Sequence, residues 1–204
     1  MRFPAKSLWS HGFQLAELTI VLAIVAFMMM LGAPQLLRGS GDLRLRLAAD
    51  ELVGVLRLAR SWAVRNDANV AVKFRTAADG TVTFTLYRDG NGNGVLTADI
   101  NSGKDPQVQP PRRLSNFGRG IGFGFPPGPA PTDPSSPGHL LTPTDPIRFN
   151  GSDLASFSPL GTSTPGSLYL TDGLQRLVAV RLSNRAGLVR ILTYDARKRV
   201  WRDG

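Results

Sequence analysis

A long apolar segment near the amino terminus dominates the hydrophobic pattern of the chain. Residues 13–37 carry a single charge, on Glu17, whereas residues 1–12 are of mixed polarity and include Arg2 and Lys6. A membrane-spanning helix needs about 20 predominantly apolar residues, so this segment is predicted to form the transmembrane half of a long helix. The basic leader, residues 1–12, is expected to stay in the cytoplasm, because positive charges beside a span remain on that side.

Two ordinary explanations of the same segment remain open. A secretory signal peptide has a shorter apolar core and a small-residue cleavage site. Here the run ends at Ala33 followed by Pro34, which is a poor version of such a site. On that alternative, the chain would be a periplasmic binding domain exported by an ordinary signal peptide. A plain single-span anchor would leave Glu17 unexplained, because an ionisable group inside a bilayer is costly without a partner.

A helical pattern continues after the apolar segment. Residues 38–65 are predicted to form the amphipathic half of the helix, with its apolar stripe packed on a following sheet. The stripe has alternating spacings of four and three residues and consists of Leu45, Ala49, Leu52, Leu56, Ala59 and Ala63. Gly39 and Gly41 mark the junction between the two halves, where Asp42 is a candidate cap if the helix restarts there.

The period changes from helical to strand-like after Asn66, which predicts a β-rich globular domain over residues 66–204. Residues 69–74 and 81–87 alternate apolar and polar positions and flank a turn sequence, so they are predicted to form a hairpin. The later predicted strands are residues 121–125, 147–149, 167–170, 177–183 and 188–194. One long helix followed by a run of short strands is an α+β pattern.

A proline-rich segment interrupts the strand pattern at residues 126–146, which contain eight prolines. Proline lacks the backbone N–H that a sheet ladder requires. The segment is therefore expected to be an irregular loop within the globular domain.

The amino-terminal segment, GFQLAELTIVLAIVAFMMMLGAP, resembles the class III signal of type IV pilins and type II secretion pseudopilins. The resemblance implies that a prepilin peptidase cuts after Gly12 and methylates the new amine of Phe13. It also implies that Glu17 pairs with the amine of a neighbouring subunit, and that Pro34 lies where many pilins kink the helix. Such a pair would neutralise two charges that hydrocarbon disfavours.

Two later segments, LRLARSWAVRNDANVAVKF and SLYLTDGLQRLVAVRLSNRAGLVRILTYD, resemble the GspH/FimT group of minor pilin-like proteins. This resemblance implies a β-sandwich packed on the carboxy-terminal half of the helix. It implies a subunit without enzyme activity, assembled with other pilin subunits into a type II secretion pseudopilus or a type IV pilus. The anchor would lie in the lipid of the bacterial inner membrane and the carboxy-terminal domain in the periplasm.

A loop after the first hairpin resembles the start of a calcium-binding loop, with oxygen-bearing side chains at alternate positions and glycines between them. The candidate ligands are Asp89, Asn91, Asn93 and Asp99. The twelfth position is Ile100 rather than the expected glutamate. A tight turn held by aspartate and asparagine side chains is the alternative interpretation, and no other cofactor is indicated.

The residue inventory offers little for catalysis. The chain has no cysteine, and after cleavage its one histidine would be His139 in the proline-rich segment. A histidine-based triad or a histidine and cysteine metal site therefore cannot be assembled. The sequence predicts that the protein is not an enzyme.

The carboxy terminus is strongly basic, in a chain whose formal net charge is +9. The cations are Arg181, Arg185, Arg190, Arg197, Lys198, Arg199 and Arg202. FimT-like members are associated with DNA uptake through a G-R-x-R motif, and the matching segment here is Gly187-Leu188-Val189-Arg190. Leu188 replaces the first arginine of that motif. Arg185 and Arg190 are the candidate DNA contacts, and a solvated basic rim is the alternative.

Overall fold

The computed structural model describes residues 15–114, 120–183 and 186–204, with only the backbone of residues 31–40 and Pro137. The chain divides into two compact units, Met1–Ser40 and Gly41–Gly204. The helix α1, Leu15–Arg65, is continuous, so it does not restart at the junction and Asp42 is not a cap. No helix within the described residues is both long enough and apolar enough to cross a membrane.

The unit Gly41–Gly204 combines the second half of α1 with short antiparallel strands. The elements after α1 are β1 Val70–Thr76, β2 Val82–Arg88, α2 Thr97–Ser102, β3 Arg112–Arg113, β4 Gly122–Phe123, β5 Thr132–Asp133, β6 Ser136–Leu140, β7 Ile147–Arg148, β8 Leu154–Phe157, β9 Gly166–Thr171, β10 Leu177–Leu182, β11 Val189–Asp195 and β12 Val200–Asp203. One sheet has the order β3-β2-β1-β8, and the other has the order β12-β11-β10-β9-β4, with β7 also paired to β9. The predicted hairpin is confirmed as β1 and β2.

The apolar stripe of α1 lies in a core that it shares with both of these sheets. Each stripe residue is at most 1% exposed: Leu45, Ala49, Leu52, Leu56, Ala59 and Ala63. Phe74 of β1 and Phe149, which follows β7, bring the two sheets together, with stacked rings whose centroids are 6.0 Å apart. The α+β class and the packing of the amphipathic half of the helix are therefore confirmed.

The prediction of an irregular loop over residues 126–146 was wrong in part, because β5 and β6 pair there as a small hairpin. The hairpin is fastened to the end of the chain, since Trp201 Nε1 donates to the Thr132 carbonyl at 2.7 Å. Leu141 is 2% exposed and joins a cluster with Tyr169 and Leu177 on the second sheet. Contacts with strands far along the chain therefore give regular structure to part of a segment whose own composition predicts no regular structure.

Candidate assembly and ligand surfaces

The first described turns of α1 present an apolar surface on all sides. Every side chain of residues 15–30 is exposed, including Phe27 at 63% and Met30 at 77%. A helix that is hydrophobic all round is normally buried in a large core or a membrane. Contiguous apolar surface of this kind marks a site of contact with protein or lipid. This surface therefore requires a cover that the described chain does not supply.

Glu17 is the one acidic residue in the first turn of α1, and its side chain is exposed. Gly12 and Phe13 lie outside the described residues, and Pro34 is in α1 with its side chain outside them. The roles of these four residues in processing and assembly stay predictions.

The loop between β2 and α2 is organised by Asp89, whose side chain is buried. Its Oδ1 accepts backbone N–H groups of Asn91 at 3.1 Å and Gly92 at 2.7 Å. Its Oδ2 accepts the Gly94 N–H at 2.7 Å and the Asn69 Nδ2 at 3.0 Å. Burial by itself raises the pKa of Asp89, but these four donors outweigh it and leave the pKa below its usual value.

A second carboxylate, Asp99, closes the other side of the loop. Its Oδ2 accepts the side-chain amides of Asn93 at 3.0 Å and Asn91 at 3.2 Å. The Asn93 and Asn91 amides lower the pKa of Asp99. The structure thus brings together all four residues that the sequence proposed as calcium ligands.

A third acid, Asp105, also belongs to the loop, and no sequence pattern indicated it. It is 1% exposed, and its two oxygens accept the Gly90 N–H at 3.1 Å and the Leu96 N–H at 2.9 Å. Asp105 lies sixteen positions after Asp89, too far to belong to the loop motif in sequence. The turn at Gly103 brings it back to the loop.

The donors in this loop satisfy the carboxylate oxygens in the way that a tight turn requires. Among the described residues, no three acidic, histidine or cysteine side chains converge as metal ligands would. The geometry favours the turn interpretation, because N–H groups occupy positions on the oxygens that a cation would need. Calcium binding stays a prediction for experiment.

The basic carboxy terminus is divided between the two ends of β11. Arg190 lies near its start, opposite Arg181 of β10. The turn with Arg197 and Lys198 follows its end, so about 17 Å of extended strand separates the two groups. Arg202 is paired with Asp195 at 2.9 Å. Among the described cations, the groups at the two ends of β11 are therefore separate, and Arg202 lies between them, opposite Thr193.

The DNA hypothesis rested on Arg185 and Arg190. Arg190 is exposed, and it lines a shallow groove with Arg46 and Arg57 of α1. Arg185 lies outside the described residues. DNA contact by this pair stays a prediction.

A groove of about 670 Å³, which no sequence pattern indicated, lies between the end of α1 and the turn that joins β10 to β11. Its walls carry Arg57, Arg60 and Arg65, and exposed apolar side chains lie between them. The arginines were visible in the sequence only as cations on the polar side of an amphipathic helix. Their grouping beside residues 186–189 depends on how the sheet packs against that helix.

Comparison with known proteins supports a single family. A family model described as type II transport protein GspH matches residues 48–187. No curated protein matches the chain, and no solved structure matches it. The matched span begins in α1 and reaches the turn between β10 and β11, so it lies within the unit Gly41–Gly204.

Proposed function

This chain belongs to the type II transport protein GspH family, and we propose that it is a minor pseudopilin that assembles through its amino-terminal helix. The family match confirms the GspH/FimT resemblance and supports a structural, pseudopilin-like role in type II secretion. The chain would be anchored in the inner membrane, with its carboxy-terminal domain in the periplasm. The type IV pilus is the alternative machine that would use the same subunit.

The observation that carries this proposal is the exposed apolar surface of residues 15–30. Eleven large apolar side chains there are at least 40% exposed: Leu15, Leu18, Ile20, Val21, Leu22, Ile24, Val25, Phe27, Met28, Met29 and Met30. Covering a surface of this size contributes on the order of 10 kcal/mol, at about 1.5 to 3 kcal/mol for each large side chain fully buried. In sequence, the apolar run extends to residues 13–37, beyond the described side chains at both ends. Lipid and neighbouring subunit helices are the two covers that a membrane-anchored filament provides.

The processing step gives Glu17 its partner. Cleavage after Gly12 would create an ammonium group on Phe13, four residues before the carboxylate. In an apolar environment, each of these charges is costly alone, and pairing offsets part of that cost. Contact between the ammonium of one subunit and Glu17 of the next would set the axial position of the incoming helix. This role requires no chemistry from the globular unit.

A charge test at Glu17 examines this role. Glu17→Ala removes the carboxylate, whereas Glu17→Asp keeps the charge and is the matched control. We expect Glu17→Ala to remain in the inner membrane fraction, because it makes the apolar run more apolar. We also expect it to lose co-purification with the other pilin subunits and to lose secretion or pilus function. Glu17→Asp should retain both in part.

Two results would contradict the proposal. If Glu17→Ala assembles and functions like the wild type, the carboxylate has no part in subunit contact. If the wild-type chain is recovered from the periplasm without membrane, the apolar helix surface is not an anchor and the exported binding domain is the better interpretation.

A further inference from the structure

The groove between α1 and the turn joining β10 to β11, here called the basic groove, combines charge with apolar surface. Its lining residues are Leu56, Arg57, Arg60, Ser61, Val64, Arg65, Ala186, Gly187, Leu188 and Val189. Val64 is 52% exposed and Leu188 is 45% exposed. The arginines lie along about 12 Å of helix, from Arg57 to Arg65, at a rise of 1.5 Å per residue.

The cations of the basic groove are not committed to acids of the globular unit. Within the described ranges, no ion pair joins Arg57, Arg60 or Arg65 to a carboxylate. Two acids of the same helix have other partners, since Asp42 pairs with Arg176 and Glu51 pairs with Arg112. A third, Asp50, forms no ion pair among the described residues. The groove therefore offers positive charge to a ligand from outside.

The side chain of Arg60 passes over two glycines. A Cβ added at Gly187 would lie 3.1 Å from both Cδ and Nε of Arg60, and one added at Gly161 would lie 3.3 Å from its Nη2. Both glycines have positive φ, of 72° and 76° respectively. The Arg60 side chain thus crosses two positions where a larger residue would crowd it.

The mixture of surfaces indicates the chemistry of the ligand. A nucleic acid would satisfy the arginines, but it would leave Val64 and Leu188 against a charged backbone. The lining residues also include no aromatic ring on which a base could stack. An amphipathic helix with carboxylates beside an apolar stripe would satisfy both features, because its side chains repeat every three to four residues along one face.

We propose that the basic groove binds an acidic amphipathic helix of a different pilin-family subunit. A second copy of this chain is a poor occupant, because the exposed surface of its own α1 is basic. The exposed cations there are Arg44, Arg46, Arg57, Arg60 and Arg65, and the acid without an ion pair in the described part of that surface is Asp50. Like charges placed against one another would oppose self-association.

This inference rests on the proposed assembly role, but its test needs neither a filament nor membrane insertion. The full chain, in non-ionic detergent, is titrated against two fluorescent 21-residue helical peptides. Both peptides carry the same leucine stripe, one flanked by glutamates and the other by lysines. We expect the glutamate peptide to bind the wild type more tightly, with an affinity that falls as salt is added.

Charge reversal locates the binding. The double variant Arg57→Glu, Arg60→Glu should bind the glutamate peptide about tenfold or more weakly than the wild type does, since two attractive contacts become repulsive. It should bind the lysine peptide more tightly. Arg197→Glu with Lys198→Glu is the matched control, because it changes the same charge beyond the other end of β11. It should bind both peptides like the wild type.

Each remaining outcome would overturn the proposal. Equal binding of the two peptides would show that charge does not select the ligand. An equal loss in the control variant would show that net charge, not the basic groove, is responsible. If a duplex DNA probe binds in an Arg57- and Arg60-dependent way while the glutamate peptide does not, the groove is a nucleic-acid surface. A failure here with normal processing and Glu17-dependent assembly would leave the proposed function standing.

Discussion

Replacing Asp89 with alanine should destabilise the globular unit strongly, although the residue lies in a surface loop. The buried carboxylate accepts four hydrogen bonds between 2.7 and 3.1 Å. A hydrogen bond to a charged group contributes about 1.5 to 3 kcal/mol. Residues 90–93 are exposed, so water replaces part of what is lost. We therefore expect Asp89→Ala to lower the free energy of unfolding by about 3 kcal/mol, which corresponds to one or two such bonds.

Thermal unfolding measures this change directly. About 3 kcal/mol corresponds to a fall in Tm of about 6 to 12 °C for a domain of this size. Asp79→Ala is the matched control, because Asp79 makes a similar turn with one backbone donor, Thr81, at 2.9 Å in an exposed loop. Its Tm should change much less. A shift for Asp89→Ala no larger than the control would refute the view that this carboxylate organises the loop.

The same experiment decides between the turn and calcium. A ligand that binds the native state alone raises Tm by mass action. Because N–H donors already occupy the Asp89 oxygens, we expect millimolar calcium to leave the Tm of the wild type unchanged. A rise with calcium that disappears in Asp89→Asn would establish the cation site instead.

Two further predictions concern the rest of the globular unit. Burial raises the pKa of Asp172, but the N–H groups of residues 174–176 and the Arg176 side chain outweigh this effect and lower that pKa. The stabilisation from Asp172 should therefore be present above about pH 4 and be lost as the pH falls further. In an acid titration, the free energy of unfolding of Asp172→Asn should fall less steeply than that of the wild type. Gly166→Ala should lower the free energy of unfolding by about 3 kcal/mol, because the added methyl would overlap the Phe149 ring. Gly54→Ala, in open space on α1, should raise it by about 1 kcal/mol. Denaturant titration of both variants measures the two changes.

The parts of the fold that the sequence predicted are those with a strong local period. The stripe of α1 and the alternating strands β1 and β2 are visible because burial on one face selects every third or fourth residue, or every second. The strand β8 was missed, since four residues with three of them buried show no alternation. Its pairing of Phe157 with Val70 and of Ala155 with Val72 is set by contacts far along the chain.

The candidate sites divide in the same way. The spacing of Asp89, Asn91 and Asn93 placed these side chains in one loop, and their contacts with Asp99 follow from that short separation. Asp105 and the basic groove depend on chain reversals between distant elements, so no local pattern revealed them. The amino-terminal motif is readable because the processing that it predicts would depend on a short linear sequence rather than on a folded surface.

The mature amino terminus tests the central claim most directly. Mass spectrometry of the amino-terminal peptide, from protein purified from its native host, identifies where the mature chain begins and whether its amine is modified. A pilin-like subunit predicts a start at Phe13 with a methylated amine and Gly12 removed. A start at Pro34 would show an ordinary signal peptide, and retention of residues 1–12 would show a plain anchor; either result would contradict assembly through a processed helix.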